Sequence, residues 1–248
     1  QDAGPYLDDA PEPPSLFDTA RYAGRFALGL ASRGVEKIRE KAGFRPGMFF
    51  LKYGQGAPMD FDPARGADII APGNRYLADP FFFEHNGERF LFFEDYDYAS
   101  GRGHIGVGKV DGAGFSHMGP ALQTDYHLSY PFIFRYGADI YMMPETNETR
   151  RLEVWRCTMF PDQWTLCATA LDGVSAADSV LFQQGGDFWI FTNISAGSFE
   201  DHCSELHLYK ASGPLLQDLT PHPLNPVVID SRTARGGGRV FEKDGRLY

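Results

Sequence analysis

Acidic residues stand at recurring positions beside short apolar runs. Asp79 precedes Pro80-Phe81-Phe82-Phe83, and Asp178 precedes Ser179-Val180-Leu181-Phe182. Tyr130 holds the matching position before a third run. Carboxyl groups that converge on one point can divide acid and base roles, one ionised to accept a proton and one protonated to donate it. We therefore predict that Asp79 and Asp178 are catalytic residues and that Tyr130 binds substrate.

Further carboxylates end the second apolar run of two of these units. Glu94 and Asp95 follow Phe90-Leu91-Phe92-Phe93, and Glu145 follows Met142-Met143-Pro144. Two carboxyl groups on either side of a glycosidic bond are the usual catalysts of glycosyl chemistry. We predict that Glu145 is the catalytic acid and that Glu94 and Asp95 bind substrate.

A structural interpretation of the first acidic position stays open. An aspartate before a strand often caps a turn by accepting backbone N–H bonds. For Asp79 we weigh this cap equally with catalysis. A cap common to every unit would recur in each, and Tyr130 breaks that rule in the second unit.

Basic residues supply a second set of candidates. Arg232, Arg235 and Arg239 flank three consecutive glycines, where guanidinium groups and exposed N–H groups suit a phosphate or a uronate. The alternative is a turn with surface charge. His127 is predicted to bind a sugar hydroxyl. One histidine is poor grounds for a metal site, so we predict neither a metal nor another cofactor.

The apolar runs repeat with a period near 50 residues. Anchored on Phe83, Phe134, Phe182 and Phe241, the spacings are 51, 48 and 59 residues. A hairpin plus further strands at this period is typical of β-propeller blades. We predict an all-β domain over 47–248, a five-bladed β-propeller whose last blade is cut short or closed by N-terminal strands. Two stacked sheets are the alternative, but they do not explain the repeat.

Composition supports this fold class. The chain has 248 residues, 15% of them aromatic, with 28 glycines and 17 prolines, which favours short strands joined by turns over disorder. The net charge of −10 argues against nucleic acid as a partner. Three cysteines, an odd number without metal-binding spacing, favour a reducing compartment, and we expect a cytoplasmic location.

The N-terminal part differs from the rest. Residues 1–15 are acidic and rich in proline, which predicts a disordered leader without a signal peptide. Residues 16–46 show helical spacing of apolar residues with a basic face, and no run is long enough to predict a transmembrane segment. A linker helix that docks on the domain is favoured over a membrane-surface helix. The chain lacks an initiator Met and ends within a predicted strand, so we expect a fragment.

Six motifs over residues 47–248 resemble the N-terminal domain of the plant glucosamine inositolphosphorylceramide transferases and its bacterial relatives. They are Ala78-Asp79-Pro80-Phe81, Gly103-His104-Ile105, His127-Leu128-Ser129-Tyr130-Pro131-Phe132, Met143-Pro144-Glu145-Thr146, Phe160-Pro161-Asp162-Gln163-Trp164 and Pro221-His222-Pro223-Leu224-Asn225-Pro226-Val227. The resemblance implies a carbohydrate-active propeller of polysaccharide or glycolipid biosynthesis. In the plant enzymes the recognised transferase is a separate domain. The resemblance therefore also allows a non-catalytic module that binds glycan or presents acceptor to that transferase.

The Asp-Pro opening and the repeat are also similar to the propellers of glycoside hydrolase families 43, 32 and 68. In family 43 the Asp of the first blade is the general base, and the resemblance gives that role to Asp79. Glu145 best matches the general acid. Tyr130 stands where the family has an orienting Asp, a departure for which Asp178 is a substitute. The implied substrate is a glycan or a sugar phosphate.

Overall fold

The computed structural model describes residues 13–41, 49–112, 114–195 and 201–248, and the chain divides into two compact units, residues 1–48 and 49–248. The first unit contains helix α1, Leu16–Lys41. Ser15 begins it as an N-cap, since its Oγ accepts a hydrogen bond from the backbone N–H of Asp18 at 3.1 Å. The predicted leader, apart from residues 13–15, and the predicted helical residues 42–46 lie outside the described residues.

The second unit begins with short strands β1, Leu51–Tyr53, and β2, Ala67–Ile69, which pair with each other. A four-stranded antiparallel sheet follows, with its strands in chain order. We call it the first sheet; its strands are β3 Arg75–His85, β4 Glu88–Asp97, β5 Arg102–Asp111 and β6 Gly114–Leu122. Its first hairpin turns at Asn86-Gly87, both with positive φ, as a tight two-residue β-turn requires.

Two more sheets repeat this arrangement. The second sheet contains β7 Ser129–Tyr136, β8 Asp139–Glu145, β9 Leu152–Met159 and β10 Gln163–Ala170. The third sheet contains β11 Ser175–Gln184, β12 Asp187–Ser195 and β13 Glu205–Ala211, with β14 Thr220–Pro221 and β15 Val228–Ile229 both paired to β13. A last hairpin joins β16 Glu242–Lys243 to β17 Arg246–Leu247.

The predicted all-β class with one N-terminal helix is confirmed, as is a new sheet at each of the first three repeats. Among the described residues three sheets have four or five strands, two sheets have only two, and none closes on itself. These sheets do not confirm the predicted count of five blades. The fourth repeat forms only the short hairpin β16–β17.

The first sheet is buried on both faces. Phe90 and Phe92 of β4 belong to a large apolar core shared with the second and third sheets, whereas Leu91 and Phe93 pack with β1 and β2 in a smaller core. Because successive side chains of a strand point to opposite faces, the two carboxylates that end β4 are also separated. Glu94 continues the large-core face and Asp95 the small-core face.

Candidate functional site

The first strands of the three sheets share one irregularity. Pairing with the next strand shifts register beside Asp79, Tyr130 and Asp178, and each of these residues has a positive φ, of 49°, 45° and 51°. These are the three positions that the repeat aligned. The left-handed conformation is uncommon for non-glycine residues and unfavourable for a bulky one such as tyrosine. Strain of this kind persists where surrounding structure enforces it, and it clusters at functional sites.

A cleft of about 480 Å³ lies at this end of the three sheets. Asp79, Glu94 and Glu145 line it together with His127 and Arg235. Its other lining residues include aromatic side chains that offer flat apolar surfaces, Phe49, Phe50 and Tyr76. The fold thus collects three acidic side chains, one histidine and one arginine, predicted from separate repeats, in one cavity that we call the acidic cleft.

The register explains why the carboxylates converge. Glu94 pairs with Ala78, and Glu145 pairs with Ser129, so both stand across from the residue that precedes a left-handed position. The third sheet has Asn193 at the corresponding place, paired with Ala177. The Asn193 amide holds the following loop, accepting from the N–H of Gly236 at 2.9 Å.

Two of the carboxylates join neighbouring sheets. The Asp79 Oδ2 accepts from the backbone N–H of Tyr130 at 3.3 Å, and the Glu145 Oε2 accepts from the backbone N–H of Asp178 at 3.2 Å. The partner in each case belongs to the next sheet, so Asp79 does not cap its own turn. Neither carboxylate forms a salt bridge within the described part of the chain.

Glu94 accepts one hydrogen bond, and a histidine lies close to the same oxygen. The Tyr76 hydroxyl donates to Oε1 at 3.1 Å, and Nε2 of His127 lies 3.4 Å from the same atom. The backbone N–H of Gly103 donates to Nδ1 of His127 at 3.0 Å. Since a backbone N–H cannot accept, this bond places the proton of the neutral imidazole on Nε2, toward Glu94.

Gly103 makes this packing possible. A Cβ at residue 103 would lie 2.8 Å from Cε1 of His127, 2.9 Å from Oε1 of Glu94 and 2.9 Å from the carbonyl oxygen of Leu128. A larger residue would displace the histidine or the carboxylate.

Burial and mutual repulsion raise the pKa values of the acidic side chains. The pKa of Glu94 rises to about 8, first through burial and then through the charge of Asp79. The pKa of Glu145 rises to about 7, through burial and then the charge of Asp178. Burial and the Asp178 charge also raise the pKa of Asp79. Burial lowers the pKa of His127, which keeps its ring neutral.

Asp178 is held differently from the other acidic residues. Its carboxylate accepts from Nε of Arg235 at 2.5 Å and is buried, whereas about half of the arginine side chain is exposed. The neighbouring Tyr130 hydroxyl is buried, and its polar contact is a weak one with the backbone N–H of Gly238. The ion pair covers Asp178 and leaves Asp79, Glu94 and Glu145 as the carboxylates that line the cleft.

The structure does not bring all predicted site residues into the acidic cleft. Asp95 faces the other side of the first sheet, where Nε of Arg75 donates to its Oδ1 at 2.6 Å. His104 and His117 each lie 3.7 Å from its Oδ2, in a separate cleft of about 310 Å³. The pleat explains the difference, because Asp95 is adjacent to Glu94 and therefore points away from it.

The three arginine side chains beside the consecutive glycines already bind groups of the protein. Arg232 binds Asp230 through two nitrogens and lies away from the cleft, and Arg235 binds Asp178. Arg239 donates from Nη2 to the carbonyl oxygen of Ile133 and stacks 4.9 Å from the centre of the Phe132 ring. These contacts favour a structural role for the stretch over a phosphate site.

Two contributors to the cleft were not predicted from sequence. Gly103 occurs in one of the six sequence motifs, but its role in the cleft depends on the close approach of His127, which lies 24 residues away in the chain. Asn193 is the third copy of the Glu94 position, because it follows Asp178 by 15 residues as Glu94 follows Asp79, but a search for acidic residues passes over an amide. Tyr76 also contributes to the cleft. It lies parallel to Tyr96, with ring centres 4.7 Å apart, and also donates to Glu94.

Sequence comparison identifies one family. The family model described as "Glucosamine inositolphosphorylceramide transferase 1, N-terminal" matches residues 63–248. Glucosamine inositolphosphorylceramide transferase 1 from Oryza sativa subsp. japonica is 37% identical over 181 residues, covering 71% of this chain and 24% of that protein. The protein of the same name from Arabidopsis thaliana is also 37% identical, with 71% and 23% covered. The chain thus spans about a quarter of the length of these curated relatives.

Solved structures resemble the fold at low sequence identity. A family 43 β-1,3-galactosidase superposes with a TM-score of 0.54 and 12% identity over 70% of this chain and 38% of its own. The exo-β-1,3-galactanase of Phanerochaete chrysosporium, solved with β-1,3-galactotriose, gives a TM-score of 0.52 and 12% identity over 63% and 40%. These matches establish a fold related to the glycoside hydrolase propellers.

Proposed function

The chain belongs to the family of the N-terminal region of glucosamine inositolphosphorylceramide transferase 1, and from this membership and the acidic cleft we propose a carbohydrate-active domain of glycolipid or polysaccharide biosynthesis. The cleft binds a glycan or a sugar phosphate and acts on its glycosidic or sugar-phosphate bond. The three large sheets are consecutive blades of a five-bladed ring. A separate transferase domain works beside this one, in keeping with the greater length of the relatives.

One observation carries the proposal. Asp79 and Glu145 line the same cleft, and neither is neutralised by a salt bridge with a described residue. Glu145 has a pKa of about 7 and is therefore partly protonated near neutral pH, as a general acid must be. Asp79 carries the base role, and its raised pKa strengthens it as a proton acceptor once it is ionised.

Glu145 as acid and Asp79 as base act together in one displacement at the sugar carbon. Glu145 gives its proton to the bridging oxygen as the bond from that oxygen to the sugar carbon breaks. Asp79 accepts a proton from the water or acceptor hydroxyl that attacks the same carbon. Solvent then returns both carboxyl groups to their starting states. Asp178 fixes Arg235 at the cleft, and Arg235 and the neutral His127 orient the substrate.

Aromatic surfaces support a sugar as the ligand. Tyr76 and Phe49 line the cleft with ring centres 5.6 Å apart, and aromatic rings pack well against the C–H faces of a pyranose. The neighbouring carboxyl groups then serve as hydrogen-bond partners for hydroxyls.

A non-catalytic glycan-binding or scaffolding module is the second candidate. It is supported by Tyr130, an aromatic residue where the hydrolase pattern has an orienting Asp, and by the buried state of Asp178 beneath Arg235. In that case the domain presents acceptor to the separate transferase, and the same carboxyl groups only hold hydroxyls.

Mass spectrometry of product formation tests the proposal. The chain is incubated with β-1,3-linked galacto-oligosaccharides, and with nucleotide sugars plus inositol phosphate acceptors, and released or transferred sugar is measured. We expect Asp79→Asn and Glu145→Gln each to lower turnover by about 100-fold or more, the usual contribution of a general acid or base. Glu84→Gln is the matched control, because Glu84 is exposed and remote from the cleft.

Binding measurements on the same variants separate the two candidates. Turnover that is lost in both cleft variants and kept in Glu84→Gln supports the enzyme. Glycan binding by the unsubstituted chain without any turnover, weakened by the cleft substitutions and kept in Glu84→Gln, would refute the catalytic proposal and leave the binding module.

A further inference from the structure

Helix α1 exposes an apolar face in which Thr19, Lys37 and Lys41 are the polar interruptions. At about 100° per residue, its large apolar side chains fall within one arc of roughly 200°. The alanines at positions 20, 23, 27 and 31 fall within the same arc. The large members are between 52% and 91% exposed: Leu16, Phe17, Phe26, Leu28, Leu30, Val35 and Ile38. Seven large apolar side chains in one arc form an uncovered surface of a kind that marks interaction sites.

The opposite arc is polar. Asp18, Arg21, Arg25 and Ser32 lie there, all exposed. Over its whole length the helix has six Lys and Arg against three Asp and Glu, a formal charge of +3, whereas the entire chain carries −10. The helix is thus a cationic segment on an anionic protein, and its charge complements a negative surface.

The three glycines of α1 make it a weak helix on its own. Glycines occupy positions 24, 29 and 34, and a Cβ at any of them would meet nothing within 4 Å. Close packing therefore does not explain them, and each lowers the intrinsic stability of the helix. Among the described residues no helix is long and apolar enough to cross a membrane. An amphipathic helix of this kind instead suits the boundary between lipid headgroups and acyl chains.

We propose that α1 binds the surface of an anionic phospholipid bilayer and lies parallel to the membrane plane. The apolar arc, from Phe26 through Leu16 to Leu28, enters the acyl region, while Arg21 and Arg25 face the headgroups. Apolar burial supplies the binding and the positive charge supplies the preference for anionic lipid. The helix precedes the residues matched by the family model, so this inference stands apart from the proposed function of the cleft.

Vesicle co-sedimentation of the full chain tests the proposal. One set of vesicles is phosphatidylcholine alone, and the other contains about 30% phosphatidylserine, which gives an anionic surface. We expect the chain to partition at least about tenfold more strongly to the anionic vesicles, with the preference reduced at high salt. Circular dichroism should show a gain in helix content on binding, because lipid compensates for the three glycines.

Two variants and a matched control assign the contacts. Phe26→Ser combined with Leu30→Ser removes two members of the apolar arc, and we expect partitioning to fall at least about tenfold. Ser32→Ala changes an exposed residue of the polar arc, and it should leave partitioning nearly unchanged. Arg21→Glu combined with Arg25→Glu should abolish the preference for anionic vesicles.

Three outcomes would overturn the proposal. The first is equal sedimentation with and without anionic vesicles. The second is lipid binding that persists in the Phe26 and Leu30 double variant, since binding would then not use the apolar arc. The third is protection of the arc in the lipid-free chain, measured by hydrogen exchange, because α1 would then dock on protein instead.

Discussion

Replacing Glu94 by glutamine is expected to remove a large part of a pH-dependent loss of stability. Glu94 is only 5% exposed, and its pKa of about 8 compares with an ordinary value of 4.5. Between these two pH values the folded protein holds the Glu94 proton and the unfolded chain releases it. The unfolding free energy therefore decreases as the pH rises through this window. Above about pH 8 the folded state carries a buried charge and the full penalty applies.

The magnitude follows from the difference between the two pKa values. Each pKa unit corresponds to about 1.4 kcal/mol, so Glu94 lowers the unfolding free energy by about 3 to 5 kcal/mol between pH 4.5 and pH 8. Glutamine keeps the shape and the oxygen that accepts from the Tyr76 hydroxyl, but it has no proton to lose. The variant also removes the repulsion that the charge of Asp79 exerts on an ionised Glu94.

Urea denaturation at pH 5 and pH 9 measures this effect. The wild-type chain should lose more unfolding free energy between the two pH values than Glu94→Gln, by about 3 kcal/mol or more. Glu84→Gln, at an exposed site, should behave like wild type. An equal pH dependence in wild type and Glu94→Gln would refute the reasoning, because it would show that Glu94 is ionised in the folded state near its ordinary pKa.

Three further substitutions test other contacts of the cleft. Gly103→Ala should lower the unfolding free energy by about 1–3 kcal/mol through overpacking against His127 and the Leu128 carbonyl. Gly112→Ala is the control and should change it little, because nothing lies within 4 Å of a Cβ at that position. Thermal unfolding compares the two variants, and equal losses would contradict the close packing around Gly103. Arg235→Gln should lower the unfolding free energy, measured by urea denaturation at pH 7, by about 1–3 kcal/mol, because it leaves the buried Asp178 charge unpaired. An unchanged unfolding free energy would show that the ion pair is not formed. Tyr130→Phe removes a buried hydroxyl whose contact with the backbone N–H of Gly238 is weak, so the unfolding free energy should change by less than about 1 kcal/mol. A larger loss in calorimetry would show that this hydroxyl has a strong hydrogen-bond partner.

Local sequence patterns determine the elements of the fold. The apolar runs with turns between them specify antiparallel hairpins, and the repeat near 50 residues aligns Asp79, Tyr130 and Asp178, which all adopt the same left-handed backbone. Ser15 and the spacing of apolar residues likewise fix the start of the helix. These features depend on near neighbours in the chain, so they can be predicted without knowledge of distant contacts.

Relations between strands decide the rest. In the sequence Glu94 and Asp95 form one acidic pair. Because successive side chains of a strand lie on opposite faces, Glu94 lies in the acidic cleft and Asp95 binds Arg75 on the other face. The arginines around the three glycines predict a phosphate site. In the structure their guanidinium groups instead donate hydrogen bonds to Asp230, Asp178 and the Ile133 carbonyl oxygen.

The raised pKa values of Glu94 and Glu145 arise in the same way, from burial and from charges that lie more than ten residues away in the chain. The sequence alone therefore determines which residues are available to the site. Only the tertiary structure decides which of them meet, because register, burial and partner choice depend on contacts between residues far apart in the chain.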